Sequence, residues 1–275
     1  MNTLSASRPA RPDLPNQDLA IITPDLAVLL DGAGGPSEDG GGCLHGVHWY
    51  VRQLGAHLLA TLLPNPVPLA EALGRAVEQV ADDHRGTCDL RNPGTPSSTV
   101  AIVRRRQDTV DHLALHDSTI LLATTDGHHV ISDRRVQRIP RLRELWAEMA
   151  LLPLGTDRHA AARRAYITAE LGYRNVPGGY WVAGADPHSA AEAVTGSLPA
   201  AGLRAAALLS DGVADYVDAY RQATWPDLLD LLPTEGPAAL IDRVRAAEEQ
   251  DPDGRRWPRF KPHDDATAVY WPLTA

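Results

Sequence analysis

Cysteine is scarce in this 275-residue sequence, which contains only Cys43 and Cys88. The two cysteines are not in a CxxC spacing, and there is no further cysteine to complete a zinc-binding set. We therefore predict no structural zinc and expect both residues to be buried or free thiols. The motifs HExxH, GxxxxGKS and GxxxxGKT are also absent, which argues against a zinc protease and against a P-loop nucleotide-binding protein.

Long apolar segments and long basic clusters are missing as well. The first sixteen residues carry Ser, Arg and Pro without the apolar core of a signal peptide, and no later run approaches the length of a membrane span. We therefore expect a cytoplasmic protein without membrane contact. The net charge is -9, and the basic run Arg104-Arg105-Arg106 is typical of the solvated end of a strand. Nucleic acid is not an expected partner.

The remaining composition favours one folded domain. Hydrophobic residues make up 44% of the chain, which is long enough to bury a full core. Residues 16–275 contain no internal repeat and no convincing linker, so we predict a single domain there. Residues 1–15, rich in Pro and Arg, are predicted to form a flexible lead-in.

Short β-rich runs and amphipathic helical runs occur in groups along the chain. A hairpin is predicted around Pro24-Asp25, ending at Asp31, and is followed by helices over 44–63 and 69–84. An antiparallel meander of four strands is predicted next, over 97–104, 112–116, 119–124 and 128–132. It is followed by a broken helix over 140–171, a strand over 180–183 and an apolar run over 203–209. Further helix over 225–250 and a final strand over 266–271 complete the prediction. Grouped strands and paired helices fit a layered α+β domain.

Aspartates stand at the ends of several predicted strands. Asp31 and Asp211 each follow an apolar strand and precede a glycine, Asp264 directly precedes a strand, and Asp117 lies between two strands. Taken singly, each Asp-Gly pair is more often a turn than a ligand. Mg²⁺ and Mn²⁺ prefer oxygen ligands, and a neighbouring glycine lets the backbone approach an ion closely. Together, the four residues are candidates for a divalent-metal site.

The order of the motifs is more specific than any single motif. In chain order they are Asn16-Gln17-Asp18, LAVLLDGAGG at 26–35, STVAIV at 98–103, LHDSTILLATTDG at 115–127, AALLSDGVADYV at 206–217 and DDATAVYW at 264–271. In this order and spacing they resemble the motifs of the PPM or PP2C family of serine/threonine phosphatases, over about residues 16–271. The resemblance implies a four-layer αββα sandwich, in which two central antiparallel sheets are flanked by helix pairs.

The resemblance also implies a two-metal site between the sheets, occupied by Mn²⁺ or Mg²⁺. By motif position, Asp31 matches the aspartate that bridges both ions, and Gly32 matches the glycine whose carbonyl binds one of them. Asp211 and Asp264 match the other carboxylates of the first metal. We expect the two ions to activate a water that attacks phosphoserine or phosphothreonine in a protein substrate, with Asp31 and Asp211 at the catalytic centre.

Other positions match the family less well. Asp18 matches the second acidic residue of the Asn-Glu-Asp motif, and Asp117 matches the aspartate that helps to hold a third, weaker metal in bacterial members. Gln17 stands where the family usually has Glu, so the second metal is expected to bind more weakly. Ala33 stands where animal members carry a histidine thought to be a general acid, which bacterial relatives also commonly lack. Arg11 is a candidate for the phosphate-binding arginine, although it lies two residues too far upstream.

Several alternatives remain open at this stage. His263, beside Asp264, is a candidate proton donor or supporting group for the metal site. Gln17 and the poor match of residues 138–199 to the family's lid region favour a pseudophosphatase that acts as a regulatory binding module, whereas the four aspartates at the expected metal positions favour catalysis. A phosphatase of a small phosphorylated metabolite is the third hypothesis.

Overall fold

Two antiparallel five-stranded sheets form the centre of the structure, a computed structural model that describes residues 2–34, 40–64, 67–84 and 86–273. The strands are β1 (Leu4–Arg8), β2 (Asp18–Ile22), β3 (Leu26–Ala33), β4 (Ser97–Arg105), β5 (Thr109–Leu115), β6 (Thr119–Thr124), β7 (Gly127–Ile131), β8 (Val194–Pro199), β9 (Leu203–Leu209) and β10 (Ala266–Pro272). The strand order is β2-β3-β4-β5-β8 in sheet I and β1-β10-β9-β6-β7 in sheet II. All the pairings are antiparallel.

Helices cover the outer face of each sheet. The helices are α1 (Gly46–Leu62), α2 (Leu69–Asp83), α3 (Pro140–Ala150), α4 (Asp157–Leu171), α5 (Asp211–Asp218), α6 (Trp225–Thr234) and α7 (Gly236–Glu249), of which α3 and α4 lie beside the sandwich. Leu54 of α1 and Leu73 of α2 pack on sheet I, whereas Leu228 of α6 and Leu240 of α7 pack on sheet II. The order of layers is therefore helices, sheet, sheet, helices, which confirms the predicted αββα sandwich.

The two-sided burial of the sheets explains the continuous apolar runs in the sequence. Successive side chains of a strand point to opposite faces. In β3, Ala27 and Leu29 face sheet II, while Val28 and Leu30 face α1 and α2. A strand that is buried on both faces has no polar alternation. The run from Leu26 to Leu30 therefore ends where the chain reaches the edge of the core, at Asp31.

The predicted four-strand meander is wrong, because its strands divide between the two sheets. β4 and β5 pair in sheet I, and β6 and β7 pair in sheet II. The chain crosses between the sheets at Ser118, which is fully buried and whose hydroxyl lies 2.5 Å from that of Thr99. β5 and β6 are both buried on two faces, so their apolar pattern fits pairing in either sheet.

Three further segments differ from the sequence-based expectations. Residues 4–8 lie within the predicted flexible lead-in but form β1, which pairs with β10 along its whole length. The carboxylate of Asp265 then holds the following chain by accepting the backbone N–H groups of Ala10 and Gln17 at 2.6 and 3.0 Å. The strand predicted over 180–183 forms only isolated bridges. The edge strand β8 was not predicted, because its mostly exposed residues lack a strand-like apolar pattern.

Helices α3 and α4 form a smaller layer beside the sandwich. The break predicted near Pro153 separates them, and a cluster that includes Leu142, Leu145 and Tyr166 joins them. Phe260, from the segment before β10, packs against Trp146 and Tyr166. In the part of the chain that the structure describes, no helix combines the length and the apolar character needed to cross a membrane.

Candidate metal centre

The aspartates singled out in the sequence meet at one edge of the sandwich. Asp18 and Asp31 lie opposite each other in the register of β2 and β3. Asp211 opens α5 directly after β9, and Asp264 precedes β10, the antiparallel neighbour of β9. The end of one strand and the start of its antiparallel neighbour share an edge, which brings these two carboxylates together. Asp117, in the crossing between β5 and β6, is close enough to repel both Asp31 and Asp211.

The crowding of these carboxylates changes their acidity. Burial, followed by repulsion from Asp211 and Asp18, raises the pKa of Asp31 well above its ordinary value. Burial and repulsion from Asp264 do the same for the pKa of Asp211. Burial raises the pKa of Asp18 to about 7, and repulsion from Asp265 adds to the shift. Clustered carboxylates of this kind are poorly stabilised as anions unless a cation is bound between them.

Two features of the site fit divalent cations with oxygen ligands. Both side-chain oxygens of Asp18 are buried and accept no hydrogen bond of normal geometry among the described residues; only the nearby hydroxyls of Thr267 and Ser210 favour the charged form of this carboxylate, so its lone pairs can bind an ion or its water. Gly32 is confined as well, since a Cβ there would lie 2.5 Å from Val47 Cγ1 and 2.7 Å from the carbonyl oxygen of Gln17. Only glycine fits this close approach of the backbone.

A second glycine sets the spacing between α5 and the segment before β10. A Cβ on Gly212 would lie 2.1 Å from the carbonyl oxygen of Asp265 and 3.1 Å from Asp264 Cβ. The Asp211-Gly212 pair is therefore not a turn, which is its commoner role. The glycine lets the start of α5 approach the segment that carries Asp264.

Lys261 supplies one positive charge inside the acidic cluster. Its Nζ lies 2.5 Å from Asp264 Oδ1. Burial alone would lower the pKa of Lys261, but the ion pair with Asp264 and the negative charges of Asp211 and Asp31 outweigh burial, and the pKa is raised. One oxygen of a candidate ligand is therefore paired with an internal ammonium group, and a metal that binds Asp264 through Oδ1 competes with Lys261 for that oxygen.

A cavity of about 640 Å³ opens beside the carboxylates, between sheet II, α5 and the α3–α4 layer. Its acidic residues are Asp117, Glu170, Asp211, Asp215, Asp218, Glu248 and Asp264. His116, which also lines the cavity, is paired with Asp117. Its cationic residues are Arg134, Arg143, Arg259 and Lys261, and its aromatic residues are Trp146, Tyr166, Tyr220 and Phe260. The cavity thus has an acidic floor, an aromatic wall from α3 and α4, and a few basic side chains. Such a pocket can hold an anion only with cations bound at the floor.

The cavity also contains charged residues that the sequence motifs do not mark, among them Asp215, Glu170, Lys261 and His116. Asp215 lies one turn after Asp211 in α5, and burial and repulsion from Asp117 raise its pKa to about 7. Burial also raises the pKa of Glu170, in α4, to about 7. The four-residue spacing of Asp211 and Asp215 on a predicted helix was a usable signal. Glu170 has no such signal, because only the folded chain brings it to the site, whereas Lys261 lies three residues before Asp264 in the sequence.

His116, the last of these residues, holds Asp117 in place. Its φ angle of 69° lies in the left-handed region, which is uncommon for a residue other than glycine. Its Nδ1 lies 2.7 Å from Asp117 Oδ1. Burial would lower the pKa of His116, but the charge of Asp117 and the hydrogen bond to it raise the pKa instead. Burial would raise the pKa of Asp117, and His116 lowers it. The His116-Asp117 pair is thus favoured in its charged form.

Two further predicted site residues are paired with carboxylates other than the proposed metal ligands. Arg11 is largely exposed, pairs with Asp13 at 2.5 Å and is not among the residues that line the cavity. His263 also lies outside the cavity lining, with its Nδ1 2.7 Å from Glu248 Oε2. In this arrangement the guanidinium of Arg11 is held by the carboxylate of Asp13. His263 contacts the carboxylate of Glu248, which also accepts from Arg245 at 2.8 Å.

Comparisons with known proteins agree with the geometry of the fold. Neither a protein-family model nor a curated protein sequence matches the chain. Among solved structures, the catalytic domain of the serine/threonine protein phosphatase PstP, in complex with two manganese ions, is 15% identical with a TM-score of 0.58, covering 99% of this chain and 98% of that one. Stp1 from Staphylococcus aureus is 14% identical, with a TM-score of 0.57 and coverage of 99% and 95%.

A third match is the PPM Ser-Thr phosphatase MsPP from Mycobacterium smegmatis, in complex with cacodylate. It is 16% identical with a TM-score of 0.56, covering 100% of this chain and 99% of that one. At such low identity, these matches bear on the fold and not on individual residues. The chain therefore has the fold of the PPM-type serine/threonine phosphatases.

Proposed function

We propose that this chain is a metal-dependent phosphoric monoester hydrolase that acts on phosphoserine and phosphothreonine in proteins. The observation that carries the proposal is the meeting of Asp18, Asp31 and Asp211 at one edge of the sandwich, where Asp211 also lines the open cavity, with raised pKa values and too few cations of the chain's own to balance them. The fold and the two manganese ions in the PstP structure support it.

Each proposed ligand has a distinct position in the fold. Asp31 and the carbonyl of Gly32 end β3, while Asp211 and Asp264 flank the β9–β10 pair. We assign two ions of Mn²⁺ or Mg²⁺ to these groups and to Asp18, and a weaker third ion to Asp117, as in the motif assignment above. When bound, the ions supply Lewis-acid stabilisation of phosphoryl charge and a water of lowered pKa as nucleophile.

The chain's own residues position the substrate around this centre. The aromatic wall of Trp146, Tyr166 and Phe260 excludes water from one side of the cavity and offers apolar contact to the residues that flank a phosphorylated side chain. The carboxylate of Asp117 is fixed by His116, so it does not turn toward the substrate phosphate. A phosphate that enters the cavity needs a basic side chain to orient it.

Arg143 is the residue of the chain that we assign to this task, in place of Arg11. It lies on α3 and lines the cavity. The other basic side chains there are engaged: Arg134 pairs with Asp218, Arg259 with Asp251 and Lys261 with Asp264. Within the described ranges, the Arg143 guanidinium has no ion pair or hydrogen bond. A guanidinium can bind two phosphate oxygens at once.

Replacing Arg143 by alanine is expected to lower kcat/KM for a phosphopeptide by about 10- to 100-fold, mainly through KM, because a hydrogen bond to a charged group contributes about 1.5–3 kcal/mol. The matched control is Arg141→Ala, on the same helix, whose side chain pairs with Glu144 at 3.1 Å and does not line the cavity. Steady-state kinetics at saturating Mn²⁺ measure both variants. Equal kinetics for the two variants would show that α3 does not supply the phosphate-binding arginine.

The test of the proposed function is hydrolysis by metal-stripped protein that is titrated with Mn²⁺ and Mg²⁺. An aryl phosphate reports on catalysis, and a phosphopeptide compared with small phosphorylated metabolites reports on the substrate class. We expect turnover to appear with metal, to favour the phosphopeptide, and to disappear in Asp211→Asn. Asp230→Asn, an exposed residue of α6, is the control and should be fully active. Turnover that persists in Asp211→Asn would contradict the assignment.

Two features favour the second candidate function, a regulatory module without catalysis. The Lys261–Asp264 ion pair already neutralises one proposed ligand, and Gln17 provides no carboxylate beside Asp18. Both features weaken the attraction for the metals. Metal binding with no turnover of any of these substrates would support the regulatory module.

A further inference from the structure

Four residues with metal-binding side chains meet on the helical side of sheet I, outside the acidic cavity. Cys43 and His45 lie just before α1, His84 ends α2, and Cys88 lies in the loop that follows. One ligand atom of each residue, two sulfurs and two ring nitrogens, lies within 4.8 Å of all the others. None of the four residues lines the cavity, and the proposed phosphatase reaction does not use them.

The separations of these atoms match the edges of a tetrahedron around zinc. Cys43 Sγ lies 3.4 Å from His84 Nε2 and 3.9 Å from His45 Nδ1, and Cys88 Sγ lies 3.4 Å from His45 Nδ1. With Zn–S near 2.3 Å and Zn–N near 2.0–2.1 Å, a tetrahedral site has S–N edges of about 3.6 Å. A cation at the centre of the four atoms would therefore reach each of them without a large movement of the chain.

The ring of His84 is oriented with its Nε2 atom toward the other three ligand atoms. Its Nδ1 lies 2.9 Å from the carbonyl oxygen of Val80, an acceptor that fixes the proton on Nδ1. The lone pair of Nε2 then points at Cys43 Sγ. Trp49 stacks on His45 with ring centroids 4.2 Å apart and meets the edge of His84 at 4.6 Å. Zinc-binding histidines commonly have their second nitrogen held by a carbonyl in this way.

Backbone contacts bring the two cysteines together independently of any ion. The N–H of Asp89, next to Cys88, donates to the carbonyl oxygen of Gly42, next to Cys43, at 2.9 Å. The N–H of Leu44 donates to Cys88 Sγ at 3.4 Å. Hydrogen bonds from N–H groups stabilise a sulfur in its thiolate form, which is the form that binds metals. The loop between β3 and α1 and the loop after α2 are thus joined at this point.

We propose that Cys43, His45, His84 and Cys88 form a tetrahedral binding site for Zn²⁺, separate from the acidic centre. Two thiolates and two imidazoles suit zinc, whereas Mn²⁺ and Mg²⁺ favour oxygen ligands. The bound ion links the start of α1 to the end of α2. Because the ligands come from two separate segments of the chain, its binding energy adds to the stability of this helix pair.

Cysteine spacing alone predicts no structural zinc, because the two cysteines are not in a CxxC pair. The ligands occur instead as Cys-x-His at 43–45 and His-x-x-x-Cys at 84–88. Both thiols are free of a disulfide, as expected. They are not isolated, however, since each lies against a histidine ring.

The experiment is the metal content of the full-length protein, purified under reducing conditions and treated with a mild chelator that removes Mn²⁺ and Mg²⁺. We expect about one zinc per chain, and a Co²⁺-substituted sample with thiolate-to-cobalt charge-transfer absorption. The Cys43→Ser, Cys88→Ser double variant should lose both the zinc and the absorption. His57→Asn, which alters a histidine paired with Asp83 on the neighbouring surface of the same helices, should keep both.

Two further variants keep the result decisive. Asp31→Asn weakens only the acidic centre, so retention of zinc in this protein assigns the ion to the cysteine–histidine cluster. Cys88→His preserves a ligand and should keep the zinc with a weaker charge-transfer band, even where the double serine variant fails to fold. A protein with less than about a tenth of an equivalent of zinc, zinc retained after both serines are introduced, or a Cys43–Cys88 disulfide under these reducing conditions would each overturn the proposal.

Discussion

Replacing Asp31 by asparagine is expected to abolish manganese-dependent turnover and to stabilise the metal-free protein. Asp31 is assigned to both ions, so its loss should lower kcat/KM by more than about 100-fold, since groups that only support a metal ligand already contribute about 10- to 100-fold. In the metal-free protein the same carboxylate is buried and repelled by Asp211 and Asp18. Relief of about 1 kcal/mol of this repulsion raises Tm by about 2–4 °C in a chain of this size.

The pH dependence of stability follows from the direction of the same pKa shifts. Asp18 and Asp215 have pKa values of about 7 in the folded chain, against 3.8 for an ordinary aspartate, and the pKa of Asp31 is also raised. The folded state therefore binds more protons than the unfolded state in this window, and stability falls as the pH rises through it. We expect the Tm of chelator-treated protein to fall between about pH 4 and 7, with a shallower fall in Asp31→Asn.

Thermal unfolding with and without Mn²⁺ measures both effects. A site saturated at 100 times its Kd adds about 2.7 kcal/mol of stability, so manganese should stabilise the original protein strongly and Asp31→Asn weakly. Asp25→Asn is the control, at the opposite, exposed end of the same hairpin, and should behave as the unaltered protein does. An Asp31→Asn protein that is less stable than the original without metal would contradict the proposed electrostatic arrangement.

The part of the site that could be predicted from the sequence is the part built by strand ends. In β3 the apolar run stops at Asp31 because the strand leaves the core there, so the sequence marks both the strand and the polar group at its edge. The same argument applies to Asp211 after β9 and Asp264 before β10. The positions of these residues can be predicted without any tertiary contact other than the antiparallel pairing of the strands.

The remaining features depend on contacts between segments that are distant in the chain. The apolar pattern of β5 and β6 is equally compatible with one sheet or two, so the crossing between the sheets at Ser118 cannot be predicted from the sequence. Arg143 enters the cavity only because α3 packs beside α4 and Phe260. The position of Arg11 upstream of Asn16 makes it a candidate for phosphate binding, whereas β1 and its pairing with β10 determine where that segment lies.

The segment between α7 and β10, which carries Lys261 and Asp264, depends on one buried arginine. The side chains of Arg259 and Asp251 are 8% and 5% exposed and form an ion pair at 3.2 Å. Arg259 also donates to the carbonyl oxygens of Glu248, Asp251, Trp257 and Pro262 at 2.6–3.2 Å. The carboxylate of Asp251 in turn accepts three backbone N–H groups, from residues 255–257. This network closes the loop that leads into the metal centre.

Replacing Arg259 by methionine is expected to reduce the free energy of unfolding by about 3–5 kcal/mol, because it leaves a buried carboxylate and several carbonyls without their partner. Chemical denaturation of the metal-saturated protein measures the loss. Arg255→Met, an exposed residue paired with Asp253 at 2.9 Å, is the control and should change stability by less than about 0.5 kcal/mol. Manganese affinity should fall with Arg259→Met alone, since the loop that presents Asp264 is released. Equal stability of the two variants would mean that the loop is held by its backbone and not by Arg259.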